Sequence, residues 1–334
     1  MAGPIVHNAF FKDCLDSSDL KINSINANIF AQGHDLLLYL EIYNFLNNRN
    51  ISLTLSNHRL QEFVYNYLKY SMNDGSIYDK EQVKLFLYGY LSHHILDSYF
   101  HPFIMQYAKD YLPVKGEKWL HGKIETLYDT KFLYNGLKEN MREYKLYRDF
   151  HYIDIASLDI KKCVDKAAFD TYKIKNIGKK FSKSFKSLED YVHLYRYDPY
   201  KLKYYFAKIT DPIVRMGADD FFYNPDNLKE LEQYKNDEHH LWINDYSLEK
   251  SFDNFDDIYN KSLDNTLNVF CDLENLLKEN NINLEKIKKI IPNRSAITGD
   301  ECGKKLSFIK YRWKYERRIW SIINIFKIYK GISC

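Results

Sequence analysis

The chain has 334 residues, 45% of them apolar, which is enough for a substantial core and unlike a disordered polymer. Twelve glycines and seven prolines are too few for a turn-dense sandwich or barrel, so long helices and an all-α fold are expected. Lys and Arg number 48 against 45 Asp and Glu, and a net charge of +3 argues against nucleic acid as a bulk electrostatic partner.

Apolar residues recurring at three and four positions predict helices over 35–48, 57–71, 80–110, 118–140, 157–170, 182–196, 249–278 and 306–330, with little strand-like alternation. Read alone, His7 is a terminal polar residue, Asp35 a cap ahead of Leu36, Leu37 and Leu38, and His58 a first-turn residue after Asn57. Breakers at Asn73-Asp74-Gly75, Asn224-Pro225 and Pro292-Asn293-Arg294-Ser295 separate helices without forming a domain linker. The run from Gly299 to Lys305 lacks the spacing and the Ser or Thr of a phosphate loop and reads as a polar loop. Lys179, Lys180 and Lys183 read as a solvated face. Five cysteines (Cys14, Cys163, Cys271, Cys302 and Cys334) have no paired spacing and are expected as reduced thiols.

The helix predicted over 80–110 carries the strongest chemical signal. At about 100° per residue, His93, Asp97 and His101 form one ladder that drifts only about 40° per step. Three metal-ligand residue types share one face, while Leu87, Tyr88, Leu91, Ile95 and Leu96 make the surrounding surface apolar. A carboxylate on such a face would be buried in a bundle and needs a counter-charge, which a cation would supply. The next helix repeats the pattern: His121 and Glu125 can share one Zn²⁺, and Asp129, four residues on, could orient a ligand. His94 also reaches Asp97 and His101 by helix phase, so phase alone does not choose between it and His93.

Taken in order, His7, Gly33-His34-Asp35, His58, the His93-x3-Asp97-x3-His101-Pro102 ladder and His121-x3-Glu125 resemble the zinc-dependent phospholipase C family. Asn236 through Trp242 followed by Ser251-Phe252 adds to the likeness, which runs from about residue 4 to about residue 275. The resemblance implies a multi-helix bundle of the phospholipase C, three-zinc phosphodiesterase type over 1–303, holding two or three zinc ions and hydrolysing a phospholipid or other phosphodiester. It implies Asp35, His58, His93 and Asp97 around one zinc, and His101, His121 and Glu125 around a second. Asp97 would bridge to a third zinc near His7. The family's Gly-x3-His pattern selects His93 as ligand, leaving His94 and His34 behind or beside the ligands. Asp35 would also accept the proton of the attacking water. Two departures stand out: no tryptophan precedes Trp119, where the secreted enzymes use a processed terminal one, and Asp97 and His101 stand two residues closer than in that family. His151, His193, His239 and His240 have no partner at ligand spacing and read as structural.

Two other readings carry weight. A related three-zinc nuclease would cut single strands, but Glu125 stands where those nucleases more often have Asp, and residues before 304 hold 39 basic against 44 acidic residues. A metal-stabilised binding or scaffold protein without catalysis would differ by lacking an open coordination position. Residues 304–334 hold nine basic residues and one acid, interleaved with Phe308, Trp313, Trp320 and Phe326. They suit either a last helix packed on the same domain or one lying on an anionic membrane surface. No secretory signal or membrane-spanning run is present, so the expected location is cytoplasmic, with peripheral membrane contact through that tail.

Overall fold

Helix formation starts at Pro4, whose missing N–H is no loss in a first turn and whose fixed φ suits it. The computed structural model describes residues 3–20, 22, 24–39, 45–72, 81–108, 120–136, 158–195, 200–214, 218–279 and 281–303. Helix α1 (Pro4–Ser17) is followed by a 3-10 segment, Ser24–Tyr39, which is broken at Gly33. Then come α2 (Phe45–Asn57), α3 (Leu60–Met72), α4 (Glu81–Ala108) and α5 (Leu120–Lys131), the last continued by one π turn over Phe132–Gly136. After α6 (Leu158–Tyr172), α7 (Ile177–Tyr195) and α8 (Leu202–Val214), short turns lead through the one-turn α9 (Leu228–Leu231) to an antiparallel pair. In that pair β1 (Trp242–Ile243) and β2 (Lys250–Ser251) align Trp242 with Ser251. The last described helices are α10 (Phe255–Lys278), opened by a reciprocal Asn254/Asp257 capping box, and α11 (Leu284–Ile290). The fold is all-α apart from that short hairpin among the described residues, and one compact unit spans Met1–Cys302.

Helix α4 is the axis. It is buried on every side, from Val83 to Ala108, because its apolar residues are not confined to one stripe, and such a helix belongs inside a bundle. The Ser24–Tyr39 segment, α1, α5, α6 and α10 pack around it, α3 packs on α6, and α11 closes against α3 and α10. Aromatic side chains fill the joints: Phe100 meets Tyr128 of α5 and Phe255 of α10 edge-on, with ring centroids 5.3 and 5.2 Å apart. Trp242 of the hairpin stands edge-on to Phe103 and donates its indole N–H to the Asp253 carbonyl at 3.0 Å.

The predicted helices over 57–71, 80–110, 118–140, 157–170, 182–196 and 249–278 correspond to α3, α4, α5, α6, α7 and α10, with shifted ends. Of the helix expected over 35–48, residues 35–39 belong to the 3-10 segment and 45–48 to α2, while 40–44 lie outside the described residues. Gly33 (φ 49, ψ −134) breaks the 3-10 segment into two pieces, and Asp35 stands in the first turn of the second, which runs to Tyr39. Helices α1, α2, α8 and α11 were outside the predicted set. The basic helix expected over 304–334 lies outside the described residues, as do Trp119, His151 and Cys334. Cys14, Cys163, Cys271 and Cys302 are free thiols. No described helix is long and apolar enough to cross a membrane.

Candidate metal centre

Two clusters of metal-ligand side chains are buried side by side along α4. His7, Asp35, His93 and Asp97 bring one ligand atom each to within 4.8 Å of one another, and His101, His121 and Glu125 do the same. All seven side chains are buried. Asp97 and His101 stand one turn apart on α4, which makes the clusters neighbours.

The first cluster is assembled from three elements. Gly33 makes it possible: its positive φ suits glycine, and a Cβ there would lie 2.6 Å from the His93 ring, so only a bare backbone lets the 3-10 segment bring Asp35 down on α4. His93 donates Nδ1–H to the Ala31 carbonyl at 3.0 Å, which leaves Nε2 as the lone-pair nitrogen of the neutral ring. That nitrogen stands 3.2 Å from Asp97 Oδ2 and 3.5 Å from Asp35 Oδ2. The other oxygen of Asp97 is 3.3 Å from His7 Nε2, and the His7 and His93 rings stack at 3.8 Å. One carboxylate thus addresses two imidazoles through separate oxygens. A lone pair aimed between two carboxylates is repulsive unless a proton or a metal cation lies among them.

The protonation equilibria of the metal-free cluster say the same. Burial pushes the Asp35 carboxyl up to about 7, with the Asp97 charge adding to the rise against the pull of His93. Burial and the neighbouring His93 push His7 down to about 4. Burial lowers His93 too, but Asp97 and Asp35 outweigh it and raise its pKa above the ordinary value. Proton uptake at Asp35 and His93 relieves the buried negative charge, and the donor set of two imidazoles and two carboxylates fits a divalent cation in that role.

In the second cluster, α5 presents His121 and Glu125 one turn apart, with Nε2 and Oε1 2.5 Å apart. The His101 ring lies 5.3 Å from that of His121. His101 donates Nδ1–H to the Ala296 carbonyl, which turns its Nε2 toward the cluster.

The acceptor for that orientation comes from the stretch that opens with the Pro292–Ser295 breaker. Residues 295–299 are buried, with Ala296 N–H bonded to the Ser56 carbonyl at 2.9 Å and Asn244 Nδ2 to the Thr298 carbonyl at 3.0 Å. The same loop accepts His94 Nε2–H at the Arg294 carbonyl, 2.7 Å away. The ladder's two flanking histidines are therefore held by backbone carbonyls about two hundred residues distant, and no residue type in the sequence signals a carbonyl's position. Pro292 and Gly299 mark a loop there but not its burial.

Two residues stand elsewhere than the sequence pattern implies. His58 belongs to neither cluster: it is half-buried in the turn between α2 and α3, and its carbonyl accepts the Tyr172 hydroxyl at 2.8 Å. His7 takes the fourth place instead. Asp129 does not orient a metal ligand directly. Its Oδ1 accepts the N–H groups of Ile5 and Val6 at 3.1 and 2.9 Å, so it caps α1.

His34 and His94 lie beside the first cluster. His34 Nδ1 bonds Asp35 Oδ1 at 3.0 Å, its ring stands edge-on to His93 at 4.7 Å, and burial holds its pKa well below the ordinary value. Burial pushes His94 down to about 3. His34 Nε2 and His94 Nδ1 have no hydrogen-bond partner among the described residues. His193, His239 and His240 lie in the last turn of α7 and in the exposed approach to the hairpin, away from both clusters.

Sequence reasoning missed Gln32, whose Nε2 bonds the Pro4 carbonyl at 3.0 Å and Asn8 Oδ1 at 2.8 Å and so ties the 3-10 segment to α1. It also missed Tyr39 and Tyr191, whose rings meet at 5.1 Å. Burial raises both phenols, and the carboxylates of Asp129 and Glu125 add to the rise, which puts this aromatic pair on the acidic side of the site. Compared with known proteins, the chain matches no family model, and no curated protein or solved structure matches it.

Proposed function

We propose that the chain is a zinc-dependent phosphodiesterase of the phospholipase C type, with a bundle of that type around a cluster of two or three zinc ions. The observation that carries this reading is the burial of two adjacent ligand groups on α4, one of two imidazoles and two carboxylates and one of two imidazoles and a carboxylate. Zinc at such positions polarises phosphoryl oxygens and brings the pKa of water toward neutrality. His7, Asp35, His93 and Asp97 would hold one part of the metal cluster, with Asp97 shared through its two oxygens, and His101, His121 and Glu125 the other.

Asp35 is assigned the proton-accepting role. Its Oδ1 is held by His34 and its Oδ2 faces His93, so the carboxylate is fixed in orientation without being consumed by an ion pair. Tyr39 and Tyr191 offer a wall of aromatic rings for an organic or cationic group on the phosphodiester. The residues before 304 carry more acid than base, which favours a phospholipid or small phosphodiester over a polyanionic strand.

The test is metal analysis of protein purified without chelator, followed by hydrolysis assays on a chromogenic phosphocholine ester and on single-stranded nucleic acid. At least two zinc equivalents and turnover of the ester support the proposal. Asp35→Asn should remove turnover more than metal, because an amide oxygen can still coordinate but cannot accept the proton. Cleavage of nucleic acid alone would reassign the chain to nuclease chemistry, and a fully loaded protein inactive on both substrates would make the cluster structural.

A further inference from the structure

The loop joining α6 to α7 folds back on α6 and walls off a cavity. Asp165, Lys166, Phe169 and Asp170 stand one and four residues apart and share a face of α6. Lys173 N–H bonds the Phe169 carbonyl at 2.9 Å where the helix ends, and Gly178 N–H, at the start of α7, bonds Asp165 Oδ1 at 2.9 Å, so the chain returns over that face. Tyr70 reaches in from α3 and donates its hydroxyl to Asp170 Oδ2. Between them lies a cavity of about 270 Å³, lined by Tyr70, Asp165, Lys166, Phe169, Asp170 and Lys175.

Three kinds of chemistry meet there. The first is aromatic: Phe169 is 42% exposed, a large ring held at the surface by a domain that buries most of its phenylalanines, and Tyr70 faces it from α3. The second is cationic. Lys166 Nζ lies 5.1 Å from the Tyr70 centroid and Lys175 Nζ 5.5 Å from that of Phe169, while Lys69 and Lys173 approach the same two rings at 5.4 Å each. None of these four lysines has a carboxylate partner among the described residues, although Lys173 Nζ also meets the Asp170 carbonyl at 3.3 Å. The third is a pair of acceptors: Asp165 spends Oδ1 on Gly178 and Asp170 spends Oδ2 on Tyr70, which leaves the second oxygen of each carboxylate to take a hydroxyl or amino proton.

The charge around the cavity selects an anion. From Lys161 to Lys186 the chain holds nine lysines and two aspartates, whereas the other residues before 304 hold 30 basic and 42 acidic ones. The positive potential is therefore gathered on this face. A simple anion would leave the rings and the carboxylate oxygens unused, and an apolar ligand would leave the ammonium groups unused. A nucleoside phosphate uses all three. Its base lies against aromatic rings, its ribose hydroxyls donate to carboxylate oxygens, and its phosphate takes lysine heads that swing off the rings at exposed positions. The volume is just below the range of about 300–1,000 Å³ usual for larger organic ligands, which suits one nucleoside with its phosphate at the mouth.

We propose that this cavity binds a nucleoside monophosphate, with Phe169 and Tyr70 against the base, Asp165 and Asp170 as acceptors and Lys166 and Lys175 on the phosphate. The site uses no residue of either buried cluster, so it stands independently of the phosphodiesterase reading.

Calorimetric titration of the full chain with 5′-AMP, adenosine and inorganic phosphate tests it. AMP should bind saturably, one per chain, and more weakly as salt rises. Lys166→Gln/Lys175→Gln should weaken AMP about tenfold and leave adenosine unchanged, and Phe169→Ala should weaken both AMP and adenosine about fivefold. All three positions are exposed, and unchanged melting and metal content confirm that the variants fold. The proposal is overturned if AMP shows no saturable binding at millimolar concentration, or if both variants bind it as wild type does, which would place AMP elsewhere, at the metal centre for example. It is equally overturned if inorganic phosphate binds as tightly as AMP, which would leave a simple anion site, or if a single-stranded oligonucleotide binds far more tightly than AMP and the same variants abolish it.

Discussion

Asp129 on α5 accepts the backbone N–H of Val6 on α1 at 2.9 Å, and this bond ties together two helices that carry residues of the two buried clusters. Val6 precedes His7, and Asp129 follows Glu125 by one turn, so the capping carboxylate sets where His7 lies relative to the α5 ligands. Oδ1 also takes the Ile5 N–H, and Tyr223 donates its hydroxyl to Oδ2 at 3.4 Å. Gly3 packs so closely on this carboxylate that a Cβ would overlap it.

Asp129→Ala therefore should leave two buried N–H groups at the α1 terminus without acceptors. The expected loss is about 1–3 kcal/mol of unfolding free energy for each orphaned group, less whatever water recovers. Denaturant melts would read the loss, and metal analysis should show the first cluster weakened more than the second. A variant as stable as wild type would show that the cap is dispensable.

Gly33→Ala should be more damaging than an average loop substitution. The new Cβ meets the His93 ring at 2.6 Å and the backbone sits at φ 49 with ψ −134, a combination that suits only glycine. A stability loss exceeding about 1 kcal/mol, with reduced metal content, is expected. Full metal occupancy would mean that the 3-10 segment can reach α4 by another path.

His58→Ala and His7→Ala separate the structural assignment from the sequence expectation. His58 lies outside both clusters and is tied by its backbone, its N–H to the Thr54 carbonyl and its carbonyl to the Tyr172 hydroxyl, so loss of its ring should leave zinc stoichiometry unchanged. His7→Ala should lower it. The opposite pair of results, read by elemental analysis, would restore His58 as the ligand.

Asp97→Ala should lose more metal than His94→Ala. Asp97 faces both His7 and His93, whereas His94 is committed through Nε2 to the Arg294 carbonyl. Equal losses from the two would show that the ladder's ligand face has been misassigned.

Chelation should lower the melting temperature of wild type, because the ligands come from α1, the 3-10 segment, α4 and α5 and cannot be gathered in the unfolded chain. At a free metal concentration a hundred times its Kd, one bound ion contributes about 2.7 kcal/mol. A melting curve indifferent to chelator would indicate that the apoprotein is already held by its apolar core.

The ladder on α4 and the pair on α5 were legible because helix periodicity converts spacing directly into a shared face, and four-residue intervals survive any error in helix ends. The all-α class was legible for a similar reason: sparse glycine and proline together with three-and-four apolar spacing leave little alternative to helices. His58 and Asp35 were not legible in the same way. The place of Asp35 depends on how the chain turns at the positive φ of Gly33.

Residue types and intervals alone determined that His93, Asp97 and His101 share one face, that His121 and Glu125 share another, and that the first of these faces belongs to a helix too apolar around it to be solvated. Tertiary structure decided the rest. It chose His7 over His58, gave Asp129 to the α1 terminus, and brought the carbonyls of Ala31, Arg294 and Ala296 to His93, His94 and His101. The physical reason is common to all of these: a helix repeats every 3.6 residues and writes its faces into the sequence, whereas a backbone carbonyl is the same atom in every residue, and only packing decides which one meets which ring.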